Sequence, residues 1–262
     1  MQLAHRVSLN GVQLDSIDPR IVIKGIEGGS GKETVTAVPT GAGDGTRITG
    51  KRRDSVEVTV QFQINIRRNS STDRGQVLEA INAWAAGGGW LRVGYKPNRR
   101  LWVDEVVLPG EGDLWIWLSE YTISFRAHAI PYWMENTAVT KTTEAGTEGE
   151  GVITVAGSAN AVMDVALENQ SGSTINAVSI TVGGKTMSFT SLGLGGSETL
   201  TIDHVITSGR NVIRIRAGSM SVLGKRTDES ADDFEVSPGS CAFSFIAEGS
   251  CQMTVTCRGR FA

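Results

Sequence analysis

Apolar and polar side chains alternate along much of this chain, and in places the alternation is strict. In SVEVTVQFQINI (residues 55–66) every second residue is apolar, the period of a strand with one buried face. LWIWLSEYTISFRAHA (residues 114–129) repeats the pattern over a length that could cross a whole sheet. In RVSLNGVQLDSI two alternating runs meet at Asn10-Gly11, a pair suited to a type I′ turn because both central residues need positive φ. WLRVGYKPNRRLWVDEVV predicts two more strands about Lys96-Pro97-Asn98-Arg99.

The period changes once. Val77, Leu78, Ile81, Trp84 and Ala85 recur as on one helix face, and Gly87-Gly88-Gly89 closes the run. Asp73, with Gln76 three residues on, has the spacing of a capping box. The expectation is a single helix over about 73–86, laying Leu78, Ile81 and Trp84 on a sheet. Past residue 150 the helical period does not return. GVITVAG, AVMDVALEN, INAVSITVGGKTMSF, ETLTIDHVI, NVIRIRAG, AFSFIAEG and QMTVTCRG read as short strands between turns, the rhythm of a β-sandwich or jelly roll.

Composition places a boundary between these regions. All 6 tryptophans and all 3 tyrosines precede Glu135, and TAVTKTTEAGTEGEG, just after it, has no periodic apolar pattern and reads as a linker. The expected fold is mainly β: an N-terminal β-sandwich with one α-helix over residues 1–135, a linker at about 136–150, and a second β-sandwich over 136–262. With 25 basic against 28 acidic residues the formal net charge is −3, without the basic excess of a nucleic-acid binder. No apolar stretch nears the roughly 20 residues of a membrane span. MQLAHRVSLNG lacks the apolar core of a secretory signal, so cytosolic synthesis is expected.

Chemical motifs fail on spacing. GIEGGSGKET, after the apolar run IVIK, resembles a phosphate loop, but G-x-x-x-x-G-K-[ST] requires glycine at position 26 and a hydroxyl at 33. Ile26 and Glu33 stand there, and Pro39 with its neighbouring glycines leaves no helix to aim at an anion. Gly41 to Gly45 and Gly193 to Thr199 read as turns. Asp203 and His204 are adjacent on a predicted strand and face opposite ways. TDESADD (residues 227–233) lacks the order of a calcium loop. Cys241, Cys251 and Cys257 have no histidine near them and no CxxC pair; semi-buried strand residues are expected, with a Cys241–Cys257 approach only if 247–249 turns a hairpin. Lys51-Arg52-Arg53, Arg67-Arg68 and Arg99-Arg100 flank strands, where such charges keep edges soluble, meet an acidic partner or nucleic acid, or act between subunits.

The element order carries a resemblance. An N-terminal hairpin, a Gly-rich connection, RRDSVEVTVQF leading a strand, the lone helix, WLRVGYKPNRRLWV, a long strand and the exit AIPYWME together resemble the phage distal tail protein family, the siphophage component that joins tail tube to tail tip. NAVSITVGGKTMSFTSLGLGGSETLTID and SGRNVIRIRAG are similar to the galectin-like C-terminal half of those proteins. The stretch 28–50 and the ending TVTCRGRFA depart from the family's pattern.

The resemblance implies a structural virion protein and not an enzyme. It implies a hexameric ring, made by the first domains, that binds the tail tube protein above and the tail hub or tape-measure protein below. Receptor-binding proteins are further partners in some members. It implies a place at the tail tip after assembly in the host cytoplasm, with no cofactor, metal, specific nucleic-acid binding or membrane insertion. Residues 28–50 are expected as a flexible arm or loop reaching a neighbouring subunit, with Gly28, Gly29, Gly31, Lys32, Lys51, Arg52 and Arg53 at the subunit interface. Two other readings stay open: a tail tube protein with a decorating C-terminal domain, and a carbohydrate-binding module. The absence of tryptophan after residue 135 removes the ring-stacking residue that galectins use.

Overall fold

The computed structural model describes residues 6–39, 46–65, 71–109, 120–207 and 210–262. The chain divides into two compact units, Met1–Trp133 and Met134–Ala262. Both are built from antiparallel sheets, so the protein is mainly β.

The first unit opens with strands β1 (Val7–Leu9) and β2 (Val12–Gln13). Asn10 and Gly11 sit between them at φ 52° and 87°, as the type I′ turn requires. A four-residue helix α1 (Leu14–Ile17) follows, where the sequence predicted only strand. It forms because Leu14 turns fully into the core while Ser16 Oγ donates to Gln13 O at 2.6 Å. Strands β3 (Ile21–Pro39) and β4 (Thr46–Ile64) then run antiparallel as a ribbon.

Helix α2 spans Ser71–Ala85, beginning two residues before the predicted start, so Asp73 lies within its first turn. Val77, Ile81 and Ala85 are buried, and Leu78 and Trp84 only half so. Trp84 meets Phe125 edge-on, ring centroids 6.0 Å apart, and its indole N–H donates to Val12 O at 3.1 Å. Strands β5 (Gly89–Val93), β6 (Arg99–Val103), β7 (Glu105–Val107) and β8 (Glu120–Ala127) complete the unit. One sheet contains β2-β1-β5-β6 in that order, the other is β3-β4-β8-β7. The two punctuation marks of the sequence meet here: Asn10 Nδ2 donates to Gly88 O and Asn10 Oδ1 accepts from Trp90 N, both at 2.9 Å. A side chain at Gly89 would overlap that amide.

Strand β9 (Trp133–Glu135) leads out of the first unit, and β10 (Val139–Thr142) and β11 (Gly146–Val155) occupy most of the segment expected as a linker. Strands β12 (Ala161–Asn169), β13 (Val178–Val182), β14 (Lys185–Phe189), β15 (Thr199–Thr207), β16 (Arg210–Ala217), β17 (Met220–Ser221), β18 (Glu235–Val236), β19 (Gly239–Cys257) and β20 (Arg260–Phe261) follow.

Here the largest correction to the sequence reading appears. AFSFIAEG and QMTVTC are not two strands about a turn; both belong to β19, 19 residues long, and Arg258-Gly259 follow it. Near residues 248–250 it changes partners, from β13 and most of β11 to β12 and β10. Its odd-numbered residues from Cys241 to Cys257, apart from Gly249, belong to one core shared with Phe189, Phe234 and Leu167. With no hairpin at 247–249, Cys241, Cys251 and Cys257 are all buried and free. Burial raises the Cys251 and Cys257 thiols to about 11; at Cys257 the Arg260 charge opposes the rise, while Asp164 and Glu135 add to it.

Candidate functional site: a basic arm and its root

The ribbon β3–β4 has two unlike halves. From Val56 to Gln63, β4 pairs with β8 on its other side, and Val56, Val58, Val60 and Phe62 are fully buried. Beyond Val56 only β3 and β4 remain paired, out to Pro39 opposite Thr46. Every described residue from Lys32 to Pro39 and from Thr46 to Gly50 is exposed. The stretch 28–50, expected as a flexible arm or loop, is over its described residues a two-stranded arm. A strand with both faces in water shows no apolar alternation, which is why the sequence read it as irregular.

The arm is apolar and basic at once. Val35 and Val38 are each 47 % exposed and Ile48 is 54 % exposed. Lys32, Arg47, Lys51, Arg52 and Arg53 stand against Glu33 and Asp54 among its described residues. Asp54 accepts hydrogen bonds from Thr34 Oγ1 and from Arg52 Nε, the latter at 2.8 Å. The Thr34 bond first, then that of Arg52, holds its carboxyl below the ordinary aspartate range.

At the root the three interface glycines named from sequence do specific work. Gly28 and Gly29 have φ 85° and 86°, a region that only glycine enters freely, and the register with β4 slips between Gly28 and Gly31. The bulge lets the backbone approach its own unit. Added side chains would overlap Glu57 O at Gly28 and the Tyr95 hydroxyl at Gly29. Tyr95 Oη donates to Gly28 O at 3.2 Å, while Gly29 O accepts from Trp133 Nε1 at 2.7 Å and from Lys96 Nζ at 3.3 Å. Lys96 Nζ also lies 4.6 Å from the Trp133 ring centroid, a cation–π contact. At Gly31 the missing Cβ leaves room for the Arg53 guanidinium to lie across the backbone.

The structure thus brings together Gly29, Gly31 and Arg53 at the root. It sets Lys32 and Arg52 on the exposed ribbon. Lys51 is on the same strand, its side chain outside the described residues. Sequence reasoning missed Tyr95, Lys96 and Trp133. They lie 67 to 104 positions from the glycines they bind, and only the turn signal at Lys96-Pro97 hinted that this hairpin tip mattered.

The other candidates are dispersed. Asp203 pairs with Arg214 Nε at 2.9 Å, and His204 Nδ1 lies 3.2 Å from Asp164 Oδ1, so the two neighbours do face apart. In TDESADD, Asp232 pairs with Arg226 and Asp233 with Lys185. Among the described residues no three His, Cys, Asp or Glu side chains gather as a metal site, and no helix is long and apolar enough to cross a membrane. Gly193 (φ 71°) and Ser197 (φ 63°) mark turns, as expected. The Gly41–Gly45 turn, Arg67-Arg68 and residues 114–119 of the long strand lie outside the described residues.

No family model and no curated protein sequence matches this chain. Solved structures do. The Dit protein of phage SPP1, described as a paradigm of the hub adsorption apparatus in phages infecting Gram-positive hosts, matches at a TM-score of 0.69 and 14 % identity. The match covers 98 % of this chain and 99 % of that one. Two structures of the phage P2 baseplate in its activated conformation, one with Ca and one with Sr, reach TM-scores of 0.49 and 0.47 at 7 % identity. They cover 97 % of this chain and 97 % and 96 % of theirs. This chain has the fold of the SPP1 protein essentially from end to end.

Proposed function

We propose that this protein is a structural component of a long-tailed phage virion: a distal tail protein whose copies, six to a ring, join the tail tube to the tail tip. The observation that carries the reading is the likeness to the SPP1 Dit protein, a hub protein, which extends over both units and 98 % of the chain. The arm supports it. A two-stranded ribbon exposing Val35, Val38 and Ile48 is marginal alone in water, and a neighbouring subunit is the surface that would hold it. Tail tube protein on one side, hub or tape-measure protein on the other, and a receptor-binding protein are the partners this placement supplies. In this reading the second unit, a galectin-like sandwich, projects outward, and the protein performs no catalysis.

Multi-angle light scattering and negative-stain images of the purified chain test the proposal. Discrete six-fold rings are expected. Long tubes would transfer the assignment to a tube protein, and a monomer persisting at tens of micromolar would overturn both.

A further inference from the structure

The arm's root holds a charge arrangement that its own unit does not complete. The Arg53 side chain is only 9 % exposed. Its guanidinium lies between the Gly31 backbone and the Tyr132 ring, whose centroid is 5.3 Å away. Nη1 is buried and makes no hydrogen bond. Nη2 faces Glu33 Oε1 at 3.6 Å, too long for a hydrogen bond, and Glu33 is half exposed and free to swing away.

Beside it, Lys96 Nζ donates to Gly29 O and leans on Trp133, which leaves two of its three ammonium hydrogens. Burial first, then the charges of Arg99 and Arg53, holds the Lys96 pKa below the usual lysine range. Arg53 and Lys96 thus share the root, and Glu33 is the carboxylate paired with Arg53 there. A buried guanidinium with an unused N–H is costly, and its planar fork matches an oxyanion such as carboxylate or phosphate.

We propose that Arg53 and Lys96 form an oxyanion-binding notch at the root of the arm, and that the group it takes in the assembled protein is a carboxylate from a second copy of the chain. The second half of this proposal rests on the ring reading; the first does not. Tyr132 and Trp133 wall the notch with ring faces that hold the two cations in place without neutralising them, so the charge is kept for the incoming group. Glu33 occupies Arg53 loosely until that group arrives, and the arm's register against the unit is completed by docking.

The test uses the full chain with inorganic phosphate as probe, against sodium chloride at matched ionic strength. The melting temperature of the wild type should rise with phosphate. Lys96→Met keeps the aliphatic stem and should lose most of that rise, while Glu33→Gln, which frees Arg53, should reach the same rise at several-fold lower phosphate. If both variants respond as the wild type does, there is no notch. Light scattering reads the second half: phosphate and Lys96→Met should each weaken self-association several-fold. Phosphate binding at the notch with self-association unchanged would refute the carboxylate of a second copy. A chain that never self-associates, yet keeps the phosphate response and its dependence on Lys96, would sink the ring reading and leave the notch standing.

Discussion

The inner and outer halves of one ribbon share the same β3–β4 pairing and stand in opposite physical situations. The inner half of β4 is gripped on both edges and buries Val58, Val60 and Phe62 completely, each contributing about 1.5–3 kcal/mol by removal from water. The outer half has a partner on one edge only and, beyond the Arg53 root, leaves every described residue of 32–39 and 46–50 exposed, Val35, Val38 and Ile48 among them. Pairing alone thus gives shape. Stability comes from the third strand and the core behind it, and the outer half is shape waiting for a surface.

This contrast can be broken in four places. Phe62→Ala, in the inner half, should cost about 3–5 kcal/mol, read as a large fall in the urea midpoint of the first unit. Gly29→Ala forces a left-handed residue against the Tyr95 hydroxyl and should cost about 1–3 kcal/mol. That loss should be visible in tryptophan fluorescence because Trp133 binds the same carbonyl. Replacing residues 35–51 by Asn-Gly joins Thr34 to Arg52, which already face each other. It should move stability by no more than about 0.5 kcal/mol while abolishing the rings in negative stain. A monomer that unfolds after this trimming would show that the outer half is structural after all.

The smallest effect is one of pH. The Asp54 carboxyl is lowered in the folded chain, so its contribution is present above the ordinary value of about 3.9 and is lost as pH falls through the folded value. Amide exchange of the outer ribbon should quicken over that acid range, and that of the inner half should not.

The same contrast explains what could be read from residue order. The inner half was legible because one buried face imposes a period of two: the Val56 to Ile64 series is buried at every second position. The outer half has two wet faces and no period, and its glycines, there for a bulge and for the Arg53 guanidinium, look like the glycines of a loop. The helix, the Asn10-Gly11 turn and the central strands were visible by local rules. The continuity of β19 was not, because Glu248 and Gly249 are turn formers and the strand's change of partners is decided by distant segments. At the root, Arg53 and Gly31 could be named from sequence as interface candidates. Their companions Tyr95, Lys96 and Trp133 could not, since nothing local couples a hairpin tip to a bulge so many residues earlier.

Strand β19 also sets a timetable. It is the last long strand of its unit in chain order and stands between β11 and β13 at one end and β10 and β12 at the other. Until Cys257 leaves the ribosome, the strands before it have no central staple, and their core faces stay open to water. The core of the second unit therefore closes in one stroke: a chain halted before residue 239 should be a chaperone client, and one that has passed residue 257 should close that core.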